Sequence, residues 1–356
     1  MAWRPLTPPT VDAHQAGRLV NAISWRKVAV GGGAAVGAAA AYNHLAAKGI
    51  APLANLLGGE EGWFEWRGHR VAYTRHGDGP ATPAILLHSP HPSASSYEWR
   101  HVAGALGAER PVYALDLLGF GRSARPAVRY SAHLYLALVA DFAARVAARP
   151  ATLVGSSLAG AWAITLAARD PARFPAVVAI APTGLERPEE RAPRMSGLSL
   201  AALSLPVIGT SLYNSMVSRP RLRQMLERAY RDDTRVTDDL LSAHYATAHQ
   251  PGAKHAAAAW LAGRLDLDVR EALRRLRQPL LVVWGRHASA APVDDSLRFR
   301  ALRPDLELAI LDRAADLPHD ERADEFNEVA SQFLRRHEQR VAEPPVPPAG
   351  RRPMTA

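Results

Sequence analysis

The chain reads as one α/β fold: a mostly parallel sheet with helices on both faces, interrupted once by a purely helical insertion. Three observations predict it. Short apolar runs of strand length alternate with helical stretches over most of the sequence. That alternation fails from about Glu186 to Leu276, where Leu222, Met225, Leu226, Leu240, Leu241, Trp260 and Leu261 recur at helical spacing with no strand between them. And one strand, Thr152 to Gly155, runs through a glycine and two serines straight into a helix.

The strands follow in order. Trp63 to Trp66 and Arg70 to Arg75, joined through Gly68, predict an opening hairpin. Ala84 to His88, Val112 to Asp116, Thr152 to Gly155, Val177 to Ala181, Leu280 to Trp284 and Leu306 to Leu311 then predict six buried strands, eight in all. Helices are expected at Ala132 to Ala148 and Leu158 to Arg169, among others. The domain plan is an N-terminal arm over 1–61, a core formed by 62–185 and 277–337, a helical cap over 186–276, and a Pro-rich tail over 338–356 expected to be disordered.

Composition narrows the chemistry. With 356 residues the chain can bury a large core, and with no cysteine it has no disulfide, thiol nucleophile or thiolate metal ligand. The formal net charge is +9, yet Lys27, Lys48 and Lys254 are its only lysines and its arginines are interspersed with acids, so nucleic acid is not an expected partner. No spacing of histidines and carboxylates suits a metal, and Gly31, Gly32 and Gly33 follow no strand, so neither a metal nor a nucleotide cofactor is expected. From Val28 to Ala47 no charge occurs, with Arg26 and Lys27 just before. The run is rich in Ala and Gly and broken by Asn43 and His44. It reads either as a helix packed on the domain or a loose amphipathic arm, or as the outline of a signal sequence or a marginal membrane anchor that would tether to a membrane surface a chain otherwise expected in the cytoplasm.

The chemistry-bearing motif is TLVGSSLAG (Thr152 to Gly160), a strand–turn–helix of the form G-x-S-x-G with Ala159 in the last position. A serine on so sharp a turn needs small residues two positions either side, because strand and helix approach closely there. Gly155 and Ala159 comply.

Four stretches then carry a family resemblance from about Gly62 to Arg336. AILLHSPHPSASSYEWR (Ala84 to Arg100) is similar to a strand and oxyanion loop. VYALDLLGFGRSARP (Val112 to Pro126) contains an Asp-x-x-Gly-x-Gly-x-Ser turn. PLLVVWGRHASAAP (Pro279 to Pro292) resembles the strand after the cap, and ILDRAADLPHDERADEFNEVASQFL (Ile310 to Leu334) the loop and closing helix. The chain thus resembles the capped α/β-hydrolase superfamily of ester hydrolases, epoxide hydrolases and dehalogenase-like enzymes. The resemblance implies an α/β-hydrolase fold with an eight-stranded sheet and a pocket for a small apolar molecule under the cap.

It also implies a serine nucleophile, a histidine base, an orienting acid and two oxyanion N–H donors. Ser157 maps onto the nucleophile and the Leu158 N–H onto one donor. The second donor maps onto Pro90, which has no N–H, leaving Ser89 or His91 to supply it; loss of one such donor is worth about 2.7–4 kcal/mol. The usual acid position holds Ala288 and the usual base position holds Asp316. With an ordinary pKa of about 3.9, an aspartate is a poor base for a serine hydroxyl. Two rescues are open: His319, three residues beyond, as a displaced base, and Glu186 as a relocated acid, each of which also reads as a residue without catalytic duty. His88 and Asp116 are expected to be structural. Two functions follow from this pattern, a serine hydrolase of small apolar esters or related compounds, or a degenerate-triad pseudo-hydrolase that binds a ligand or partner without turnover.

Overall fold

The computed structural model describes residues 25–186 and 195–342. The hairpin forms as expected. Strands β1 (Glu60–Trp66) and β2 (His69–His76) pair antiparallel about a two-residue turn, Arg67 and Gly68, in which both φ are positive. This pair of positive φ values matches the right-handed twist of the strands, and glycine takes the second at no steric cost. Six more strands complete one sheet: β3 (Ala84–Leu87), β4 (Val112–Leu115), β5 (Thr152–Ser156), β6 (Val177–Ile180), β7 (Leu280–Gly285) and β8 (Glu307–Leu311). The order is β1-β2-β4-β3-β5-β6-β7-β8, parallel from β4 onward. The eight-stranded, mostly parallel α/β fold expected from the sequence is therefore present.

Apolar residues on neighbouring positions of the central strands face opposite layers. Ile85, Leu153, Val177, Val282 and Trp284 join one apolar cluster, with Tyr135 of helix α3 (Ala132–Phe142) and Trp162 of helix α4 (Leu158–Arg169). Leu86, Val154, Val178, Leu281 and Val283 join the other, with Leu106 of α2 (Ala103–Gly107) and Phe326 and Phe333 of the closing helix α13 (Ala323–Ala342). Burial on both faces explains why these strands read as unbroken apolar runs. The Tyr135 and Trp162 rings stack at 4.7 Å, and at about 3–5 kcal/mol the Trp162 side chain is among the costliest to truncate.

Two boundaries depart from expectation. The helix expected over Ala132 to Ala148 is α-helical only to Phe142; Ala143–Ala147 is a wider π turn that ends at Ala148 with φ +55°. The closing helix continues to Ala342, past the expected start of the tail at 338, and the rest of that tail lies outside the described residues.

Among the described residues, the segment between β6 and β7 contains helices and no strand: α5 (Gly197–Ser204), α6 (Val207–Met216), α7 (Arg219–Ala229), α8 (Asp238–Ala248), α9 (Ala253–Leu261) and α10 (Arg270–Arg275). Leu203, Tyr213, Leu222, Leu226, Leu240 and Leu241 give the insertion its own apolar cluster. Its last stretch differs, because Leu265, Leu273 and Leu276 pack into the core cluster beside α4. Helix α1 (Trp25–Ala47) lies on this insertion through Asn43. Its amide donates to Val207 O at 3.0 Å, and its Oδ1 accepts from Ser211 Oγ and Asn214 Nδ2, both at 3.0 Å. The polar residue that breaks the uncharged run is thus the one that docks it. No helix among the described residues is long and apolar enough to cross a membrane.

Candidate active site

Strand β5 delivers Ser157 to the mouth of the sheet with φ +53° and ψ −120°, and α4 begins at the next residue. A non-glycine residue held there stores about 1–3 kcal/mol of backbone strain. The surroundings enforce it. Ser157 N–H donates to Ile180 O at 2.8 Å, and a Cβ on Gly155 would lie 2.5 Å from Ala159 O, so that position admits only glycine. The turn is a formed nucleophile elbow. As first residue of α4, Leu158 has a backbone N–H with no helical acceptor, and the positive end of the helix lies at Ser157.

Around that elbow the polar groups are engaged elsewhere. Among the described residues, the partly exposed Ser157 hydroxyl makes no hydrogen bond. Asp316 faces the loop after β7: its carboxylate accepts from Ser289 N–H at 2.7 Å, Ala290 N–H at 3.0 Å and the Ser289 hydroxyl at 3.1 Å. The base and acid positions of the resemblance, 316 and 288, are therefore neighbours here, but a carboxylate capping a turn spans the gap where an imidazole would carry a proton. Burial raises the Asp316 pKa, opposed by the N–H groups of Ala290 and Ser289 and by the Ser289 hydroxyl.

Neither rescue is assembled. His319 is fully buried on α12 (Pro318–Glu321), its ring 4.8 Å from that of Trp99 and its Nε2 3.1 Å from Glu98 Oε1, close enough for an ion pair but not aligned as a hydrogen bond. The cause is local. Pro318 fixes a helical start there, and Glu321 anchors the turn by accepting from Ala315 N–H and Arg231 N–H, each at 2.6 Å, so His319 turns inward under Trp99. Glu186 folds back on its own turn, both oxygens accepting from Gly184 N–H at 2.8 and 3.1 Å, and it meets no imidazole. The Ser89 N–H is also spent, donating to Glu98 Oε2 at 2.8 Å. With Pro90 lacking a donor, the N–H of His91 is left as the second oxyanion candidate, and it bonds to no group among the described residues.

The structural expectations for His88 and Asp116 hold. Leu117 N–H donates to His88 Nε2 at 3.1 Å, so the ring proton sits on Nδ1, 3.1 Å from Ser89 O. Asp116 accepts from Ser96 N–H at 2.7 Å and Arg122 Nε at 2.8 Å and ties down its turn.

A second polar cluster was missed from sequence. Ser93 Oγ lies 2.9 Å from His244 Nδ1 on α8 and 3.3 Å from His91 Nδ1, and the two imidazoles stack at 5.9 Å. Burial drives both pKa values down, to about 4 for His91 and about 3 for His244. With Glu98, Arg100, Tyr230 and Asp320 they line a small cavity of about 30 Å³, room for about a water molecule. The histidine within Ser89-Pro90-His91-Pro92-Ser93 was a local signal; its partner across the cap was not. A larger groove of about 290 Å³ runs between arm residues Gly49 to Leu57, Tyr97 and α8 residues Ala243 and Ala246. Ser157 borders neither space. Among the described residues no three histidine or carboxylate side chains converge to hold a metal.

Comparison with known proteins places this geometry. The model of the alpha/beta hydrolase family matches residues 76–329. The chain belongs to the alpha/beta hydrolase family. Among the curated members of the family it is similar to a 2-hydroxy-6-oxo-2,4-heptadienoate hydrolase of Pseudomonas putida, 24% identical over 73% of this chain and 91% of that one. It is likewise similar to a 2-hydroxy-6-oxo-6-phenylhexa-2,4-dienoate hydrolase of Comamonas testosteroni, 28% identical over 74% and 91%. Among solved alpha/beta hydrolases, a meta-cleavage product hydrolase from Pseudomonas fluorescens superposes with a TM-score of 0.64 at 25% identity, covering 79% of this chain and 99% of that one.

Proposed function

We propose that this alpha/beta hydrolase binds small, largely apolar acyl compounds and does not turn them over by the serine–histidine–acid route. One observation carries the reading: the side chain at the base position is a carboxylate already holding two backbone N–H groups and a hydroxyl of the 289–290 turn, while the Ser157 hydroxyl makes no hydrogen bond among the described residues. A serine hydroxyl without a base is a weak nucleophile. The names of the curated relatives suggest the ligand class, since hydroxy-oxo-dienoates are small acids with a conjugated apolar stretch. The groove of about 290 Å³ between arm and cap is a space of that order.

A second reading rests on the elbow. Its strained serine, the glycine demanded at 155 and the free N–H of Leu158 are the parts that attack an ester and hold the oxyanion, and they support slow hydrolysis of activated small esters through Ser157 alone. Serine-directed fluorophosphonate labelling separates the two. The native chain is expected to label no faster than Ser157→Ala. Rapid labelling lost in Ser157→Ala would establish an activated nucleophile and remove the first reading.

A further inference from the structure

Helix α1 is anomalous. A helix apolar around its whole circumference is normally buried, yet from Gly33 to Ala47 only a stripe of Ala39, Asn43 and Ala46 is shielded, at the spacing of one helix face, while the rest of that stretch is exposed. The partner it lies on shares the anomaly. From Met195 to Ser218, through α5 and α6, no charged residue occurs, as none occurs from Val28 to Ala47, in a chain that is 22% charged. Large apolar side chains project from both elements: Tyr42 and Leu45 from α1, and Leu198, Leu205, Ile208 and Leu212 from α5 and α6, with Leu198 83% exposed. Val36 of α1 is exposed as well, and the others lie apart, Leu56 in the arm and Trp63, Val128 and Leu297 singly over the core. Two uncharged helical segments locked together through Asn43 therefore form one surface that holds most of the exposed large apolar side chains among the described residues.

Cations gather at one end of it. Tyr245 donates to Ala46 O at 3.0 Å and stacks beneath the Arg219 guanidinium at 4.8 Å, which brings the end of α1, and Lys48 just beyond it, beside the start of α7. Lys48, Arg219 and Arg221 are exposed and pair with no carboxylate among the described residues. Around them the sequence has no acid from Ala13 to Gly59 or from Met195 to Leu226.

We infer that this face, α1 with α5 and α6, lies in the interfacial layer of an anionic lipid bilayer, its apolar side chains among the acyl chains and its cations on the headgroups. A second copy of the chain fits less well, because a symmetric contact would oppose the same unpaired cations, whereas anionic headgroups neutralise them. Lying on the surface, not crossing it, agrees with a helix too poor in large apolar residues to span. The inference is independent of any chemistry at Ser157.

The test is co-sedimentation of the full chain with vesicles of phosphatidylcholine alone and of phosphatidylcholine with phosphatidylglycerol. Binding is expected to the mixed vesicles, to weaken with added salt, and to fall at least tenfold in Leu198→Glu/Ile208→Glu. Lys48→Gln/Arg221→Gln should lose roughly tenfold or more on mixed vesicles, at roughly fivefold per cation. Leu297→Glu, on an exposed leucine elsewhere, should bind as the native chain does. Unchanged circular dichroism and melting in all variants show that the fold is kept. No sedimentation of the native chain, equal binding of Leu198→Glu/Ile208→Glu, or a lipid-free dimer that the same pair of substitutions dissolves would each overturn the inference.

Discussion

The two ends of the catalytic apparatus contrast sharply in how they are built. The elbow at Ser157 is made of backbone: a positive φ, a glycine that no side chain can replace, an N–H bound to the neighbouring strand. The loops after β7 and β8 are made of side chains, and there Asp316 spans to the 289–290 turn with Ala288 packed beside the core. Backbone parts of a site are also parts of the fold, so their loss costs stability whether or not chemistry is performed. A proton relay adds little to folding and can be exchanged for a structural hydrogen bond. On the proposed reading, that asymmetry lets an intact elbow persist beside a site with no base.

Mutations that weigh the two ends separately would sharpen the contrast. The largest effect is expected at Gly155→Val, which drives a side chain into Ala159 O and should cost about 3 kcal/mol in urea denaturation; a cost near zero would mean the elbow is not structurally enforced. Glu98→Ala strips the acceptor from Ser89 N–H and leaves the buried His319 without its carboxylate, and about 2 kcal/mol is expected by the same measurement. Asp316→Ala removes three hydrogen bonds, but from a solvent-exposed turn, and about 1 kcal/mol is expected with no loss of any hydrolytic rate.

A pH dependence is expected from the cap side of the contrast. His91 and His244 titrate in the folded state at about 4 and about 3, below the ordinary 6.5, chiefly through burial. The unfolded chain therefore takes up protons that the folded chain refuses. The stability these groups contribute is complete above about pH 6.5 and is lost as pH falls from there toward about 4. His244→Phe should flatten the fall in melting temperature between about pH 7 and pH 5 relative to the native chain; an identical slope would contradict the burial of His244.

Sequence alone supplied the eight strands, the insertion and the elbow, because each is written in local periodicity or in the sizes of adjacent residues. The substituted positions at 288 and 316 were legible too, through the resemblance. What sequence did not disclose were pairings between distant side chains. Glu98 takes the N–H of Ser89, Ser93 meets His244 across the cap, and Asn43 docks the arm on α6. The place of His319 was not legible for the same reason, since its position under Trp99 depends on contacts that Glu321 makes with Arg231, 90 residues away.

On the proposed reading the hydroxyl of the elbow is in place, and the base and acid that would activate it are both replaced, by Asp316 and Ala288. Because the 316 side chain already reaches the 288–290 loop, Ala288→Asp with Asp316→His should seat an imidazole against a carboxylate beside the elbow. Hydrolysis of p-nitrophenyl acetate by this double variant is the direct measurement. A gain on the order of 100-fold over the native chain, abolished by adding Ser157→Ala, is the expected result. A native rate that equals or exceeds that of the correctly folded double variant would contradict it.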